Sequence, residues 1–168
     1  MMTKNTVLSH DVKVADEVWI ATALLHRENR DRKDFSVEEI MARVRKEKMS
    51  GEVRAGVYVH IVQHCVANRA PNPGRYRMLV ETGKNRRRLY CRGDSYDVRR
   101  EGAKTVPDAE EMPPKYKGLL AWYHAEYEAE NRKKPEEDRL LGLRGSGKDL
   151  WADEHADEYV RRLREGWE

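Results

Sequence analysis

The sequence predicts a mainly α chain with a small β-hairpin, an additional helix, and an extended, partner-dependent helical tail at the C-terminus. Three observations predict it. Apolar residues recur at helical spacing in three segments between Val14 and Asn68. Two short runs on either side of Thr82-Gly83-Lys84-Asn85-Arg86 read as strands joined by a turn. Beyond Leu140, large apolar side chains stand among charged residues on too little chain to build a core of their own.

The first helix follows from Val14, Val18, Ala21 and Leu25, at i, i+4, i+7 and i+11, and is expected over residues 15–28. The polar stretch before it, residues 1–13, reads as a flexible arm. The second helix has the best-marked start in the chain. Ser36 can cap it, Glu39 can reach back to close a capping box, and Phe35 and Ile40 occupy the two positions of a hydrophobic staple. Val37, Ile40, Met41 and Val44 supply its buried stripe.

A third helix is expected over residues 52–68, ending before the turn-forming Ala70-Pro71-Asn72-Pro73-Gly74. At 100° per residue, Tyr58, Val59, Val62, Cys65 and Val66 gather on the side expected to be buried, with Val57 and Ile61 at its margin. His60, Gln63 and His64 fall on the opposite side, a face of hydrogen-bonding groups suited to base edges in a DNA major groove. The spacing of His60 and His64 would also allow chelation, but no Cys, Asp or Glu follows at ligand spacing, so no metal or cofactor is expected.

The hairpin strands are expected over residues 75–81 and 87–92. Between Arg75 and Arg92 stand seven basic residues and one acid, Glu81. Its tip, with Lys84, Arg86, Arg87 and Arg88, is therefore expected to be a cationic finger able to neutralise phosphates. Residues 1–100 carry 21 Lys and Arg against 13 Asp and Glu, net +8, whereas residues 101–168 carry 12 against 17, net −5. That split points to a basic half that meets a polyanion.

Three helices followed by a basic hairpin is the order of a winged helix-turn-helix, and residues 14–100 resemble that family in element order and patterning. The resemblance implies that the third helix reads bases while the wing meets phosphates or the minor groove. Double-stranded operator DNA is the expected ligand.

Gly93, Gly102, Pro107 and Pro113-Pro114 mark a linker, placed at 101–114. In the helix expected over 115–131, Tyr116, Leu119, Leu120, Tyr123 and Tyr127 share a face that packs on the winged helix or mediates a homodimer. No apolar run is long enough to span a membrane and no secretory leader is visible, so a cytoplasmic location is expected. Cys65 and Cys91 are too few for a disulfide framework and read as small buried hydrophobes.

The tail, residues 132–168, contains a G-x-x-x-x-G-K string from Gly142 to Lys148. A phosphate-binding loop is rejected. Asp149 stands where magnesium binding needs Ser or Thr, and charged residues precede the string instead of a buried strand. Those glycines read as a hinge between two apolar anchors, Leu150 and Trp151 on one hand and Tyr159, Leu163 and Trp167, at i, i+4 and i+8, on the other. A segment of that kind folds onto a partner.

Leu140-Leu141, Arg144-Gly145-Ser146-Gly147-Lys148, Leu150-Trp151, Asp157, Tyr159, Arg161-Arg162-Leu163-Arg164 and Trp167 resemble the C-terminal toxin-neutralising segment of VapB-type antitoxins. The resemblance implies a PIN-domain, VapC-like ribonuclease toxin as partner, a magnesium enzyme whose acidic pocket a basic side chain enters. By matching position the candidates for that role are Arg144, Lys148, Arg162 and Arg164. VapB antitoxins usually carry a smaller DNA-binding domain than this one.

The expectation is a dual regulator that binds its operator and neutralises a ribonuclease. The alternative is a winged-helix transcription regulator or interaction module with no toxin, its tail packing within its own dimer. No Ser/His/Asp, Cys/His or metal constellation has persuasive spacing, so no enzyme is expected.

Overall fold

The computed structural model describes residues 12–132, together with Arg161 and Arg164. The chain divides into two units after Arg132, and the fold described here is that of the first. Its elements run α1 (Val14–Glu28), β1 (Phe35–Ser36), α2 (Val37–Glu47) and α3 (Gly56–Val59), which continues as a π-turn over His60–His64. Then follow β2 (Leu79–Gly83), β3 (Arg86–Leu89), two short 3-10 turns, α4 (Gly118–Trp122), a π-turn over Tyr123–Tyr127, and α5 (Glu128–Asn131).

The start of α2 forms for the reasons its sequence suggests. Glu39 N–H donates to Ser36 Oγ at 3.1 Å, and Ser36 N–H donates to Glu39 Oε2 at 2.8 Å, so both halves of the capping box close. Arg32 and the Ser36 amide hold the Glu39 carboxyl at a pKa of about 2. Phe35 and Ile40 are both fully buried.

Phe35 and Ser36 also form a strand too short to leave a periodic signal. They pair antiparallel with β3, Phe35 opposite Arg87 and Ser36 opposite Arg86, while β2 pairs on the other side of β3. The sheet order is therefore β1-β3-β2, antiparallel throughout, with the hairpin tip turning through Lys84 and Asn85. Asn85 adopts φ 55°, the left-handed conformation that Asn tolerates better than most residues. Helix, short strand, helix, helix and hairpin, in that order, are the elements of a winged helix.

The hairpin strands are shorter than expected because neighbouring segments take their backbone groups. Arg77 N–H donates to Lys104 O at 2.8 Å, and Cys91 N–H to Asp94 Oδ2 at 2.8 Å. Behind β2 runs the chain leaving α3. There Ala67 N–H donates to Leu79 O at 2.7 Å, and the Asn68 side chain exchanges two hydrogen bonds with the Glu81 backbone.

The single-stripe reading of α1 needs correction. From Ala15 to Leu24 every side chain is buried, including Trp19, Ile20, Ala23 and the polar Asp16, Glu17 and Thr22. The reason is that chain beyond the sheet covers the face that the periodicity left to solvent. Trp19 meets Tyr123 edge-on at 5.6 Å, and His26 lies 4.7 Å from Tyr127. The Tyr123 hydroxyl donates to Tyr90 O and that of Tyr127 to Leu89 O. The helix expected over 115–131 thus packs in cis, on α1 and the end of β3.

Residues 101–114 do not behave as a linker either. Met112 is fully buried, and Lys104 reaches Asp16 at 3.3 Å and Asp108 at 3.0 Å. The glycines and prolines that suggested a linker serve here as bends in a strap laid on the domain. Of the second unit, Lys133–Glu168, only Arg161 and Arg164 are described, both helical and exposed. Leu150, Trp151, Tyr159, Leu163, Trp167, Arg144, Lys148 and Arg162 lie outside the described residues.

Candidate nucleic-acid interface

In a winged helix the groups available to nucleic acid are the outward face of the third helix and the wing. The helix is held from behind by a buried arginine. Arg100, with no exposed surface, donates from its guanidinium to Arg69 O at 2.7 Å, His64 O at 2.8 Å, Tyr76 O at 2.6 Å and Gln63 O at 2.9 Å. Two of those carbonyls end the third helix, where unpaired acceptors carry partial negative charge. The helix closes with a π-turn in which Cys65 N–H reaches His60 O at 2.9 Å.

The consequence is a different outward face from the one expected. Val57, Ile61 and Cys65, at i, i+4 and i+8, point into the core and are fully buried. Tyr58 and Val59, expected inside, are 55% and 39% exposed. His60, Gln63 and His64 are half-buried and turned against the following loop. The His60 ring contacts Gly56 O through Nδ1 at 2.8 Å, the Gln63 amide donates to Ala70 O, and the His60 and His64 rings meet edge-on at 4.8 Å. Gly74 packs so closely on His64 that a Cβ there would sit 2.7 Å from the His64 Cβ. Helical projection from an ideal 100° step went astray because it weighted the many Val residues, whereas the interior is fixed by the narrower Val57-Ile61-Cys65 stripe.

The cationic finger is corrected in the same way. Arg87 is 2% exposed and serves as a bracket, donating from Nε to Ile61 O at 3.1 Å and from Nη1 to Glu81 at 3.3 Å. Burial lowers its pKa. Arg88 makes two hydrogen bonds to the buried carboxylate of Asp94, at 2.7 and 2.6 Å, and that pairing raises its pKa against the cost of burial. Arg86 pairs with Asp34 at 2.6 Å while keeping part of its surface open. Lys84, at the tip, is exposed and has no ion-pair partner among the described residues. The same is true of Arg75 in the loop after the third helix.

Alternation along β3 was the signal for this. Arg87 faces inward between Arg86 and Arg88, and only a rigid internal bracket justifies a guanidinium there. A second signal concerns the third helix itself. From Val53 through Val80, 28 consecutive residues, the sequence contains no Asp or Glu, although the chain has 30 of them in 168. The segment containing the helix and the loop after it therefore adds no negative charge to this face. No protein family, curated protein or solved structure matches this chain.

Proposed function

We propose that the chain is an antitoxin. Its winged helix binds operator DNA, and its tail, residues 132–168, neutralises a PIN-domain ribonuclease. The observation that carries the reading is the winged-helix order of elements, with sheet order β1-β3-β2, in a unit that ends at Arg132, ahead of the segment from Leu140 that resembles a VapB tail. The carboxylate-free helix and loop, with Arg75 and Lys84 exposed, suit the phosphate-flanked groove. No helix among the described residues is long and apolar enough to cross a membrane.

One observation favours a second reading. Arg87 and Arg88 are committed to internal partners, so the wing offers fewer charges to phosphate than its composition suggests, as in a winged helix used for protein contacts. Co-purification separates the two. The full chain and a version ending at Glu137 are each expressed with a PIN-domain protein encoded beside it. Retention by the full chain alone supports the antitoxin, and equal retention by both sinks the tail assignment.

A further inference from the structure

We propose that the third helix recognises thymine methyl groups in the major groove through an outward apolar stripe centred on Tyr58 and Val59. This rests on the operator-binding reading and names the chemistry it reads.

Ala55, Tyr58 and Val59 are exposed side by side at the start of the helix, while Val57, Ile61 and Cys65 are fully buried and Val62, partly buried, packs on the core beneath them. Tyr58 and Val59 are, with Val98, the large hydrophobic residues exposed among the described residues. Placing two of them side by side on the element that enters the groove sets what that element can read. Hydrogen-bond readout by an amide or imidazole is the ordinary alternative, but Gln63, His60 and His64 are half-buried against neighbouring backbone. Gln63 donates its amide N–H to Ala70 O, His60 Nδ1 is held at Gly56 O, and His64 Nδ1 is enclosed. The exposed side chains of residues 56–64 are a phenol and a branched aliphatic group, and the major-groove feature that rewards apolar contact is the C5-methyl of thymine. A protein partner would be equally content with an apolar stripe. It would not favour a run of 28 residues without a carboxylate, as a groove between two rows of phosphates does, and Glu81, which lies beside the helix, is neutralised by Arg69 and Arg87.

The test starts from a random duplex pool. The full chain selects its preferred duplex, which is then resynthesised with deoxyuridine replacing thymidine, removing the methyl and no hydrogen-bonding group. Binding is followed by fluorescence anisotropy. The expected result is a loss of about fourfold per contacted methyl. Tyr58→Ser/Val59→Ser, checked for folding by circular dichroism, should bind thymine and uracil duplexes alike. Equal binding of the two duplexes by the native chain overturns the inference and leaves operator binding standing. Failure to bind any duplex overturns operator binding itself and the inference with it. A change of mass in sedimentation for the double variant, with discrimination intact, assigns the stripe to a second copy of the chain and also overturns it.

Discussion

Arg100 illustrates how much one side chain can organise. Its four carbonyl partners come from the end of the third helix, the loop after it and the start of the wing, so a single planar cation joins three segments. Arg100→Met takes the guanidinium from all four and leaves Arg69 O, His64 O and Tyr76 O without that donor, while Gln63 O keeps the Val66 N–H. It should destabilise the fold by about 3 kcal/mol or more in urea unfolding, with Arg100→Lys intermediate because an ammonium cannot fan out to four acceptors. His26 provides a second residue-scale expectation. Burial against Phe35 and Tyr127, reinforced by the positive charge of Arg88, pushes its pKa down to about 3. In the unfolded chain it titrates near the ordinary histidine value. Above that value the ring is neutral in both states and costs nothing. As pH falls below it, the unfolded chain takes up a proton that the folded one refuses, and stability drops by about 1.4 kcal/mol per pH unit until roughly pH 3. His64, also shifted down by burial, adds in the same sense. His26→Phe should flatten the fall in unfolding free energy between pH 6.5 and 5, above the range where the carboxylates join in.

At the scale of the element, the wing behaves as a bracketed hairpin more than as a loose cationic finger. Arg87→Ala and Arg88→Ala should act on stability, the first by about 2 kcal/mol through the lost donor to Ile61 O, Glu81 staying paired with Arg69, and the second by about 3 kcal/mol by stranding the buried Asp94 carboxylate. Lys84→Ala and Arg75→Ala should leave the melting temperature in place while weakening DNA binding across sequences and reducing the salt slope by about one each. An unchanged slope in both would remove the wing and loop from the phosphate contacts. The capping box of α2 is legible because its signal is wholly local, two residues three positions apart bonding each other. The wing is not legible in the same way, because a guanidinium looks the same in sequence whether it faces water or a carbonyl. Nor could composition reveal β1, two residues whose pairing depends on the distant β3, although the N-cap role of Ser36 already calls for extended backbone there.

At the scale of the molecule, the strap and the C-terminal helix complete the first unit. They cover α1, so that a helix with Asp16, Glu17 and Thr22 in it is enclosed nearly all round. The acids find partners to match: Asp16 meets Lys104 at 3.3 Å and Glu17 meets Arg54 at 2.8 Å. Residues 1–132 should consequently fold without the tail and unfold cooperatively at the same midpoint as in the full chain. Deleting residues 115–132 as well should expose Trp19 and the face of α1 around it, and lower the midpoint by well over 10 °C. Calorimetry of the two truncations checks both statements.

The sequence by itself determined the order of helices and hairpin, the start of α2, and the apolar stripe of Tyr116, Leu119, Leu120, Tyr123 and Tyr127, because each depends on neighbours within a turn or two of chain; that the stripe packs in cis was decided by the tertiary structure. The sequence also carried the VapB-like pattern on which the proposed toxin partner rests. Only the tertiary structure decided which face of the third helix looks outward and which arginines remain available. Both depend on where distant carbonyls and carboxylates come to lie, and a buried cation is placed by partners 20 to 40 residues away: Ile61 for Arg87, Gln63 and Arg69 for Arg100.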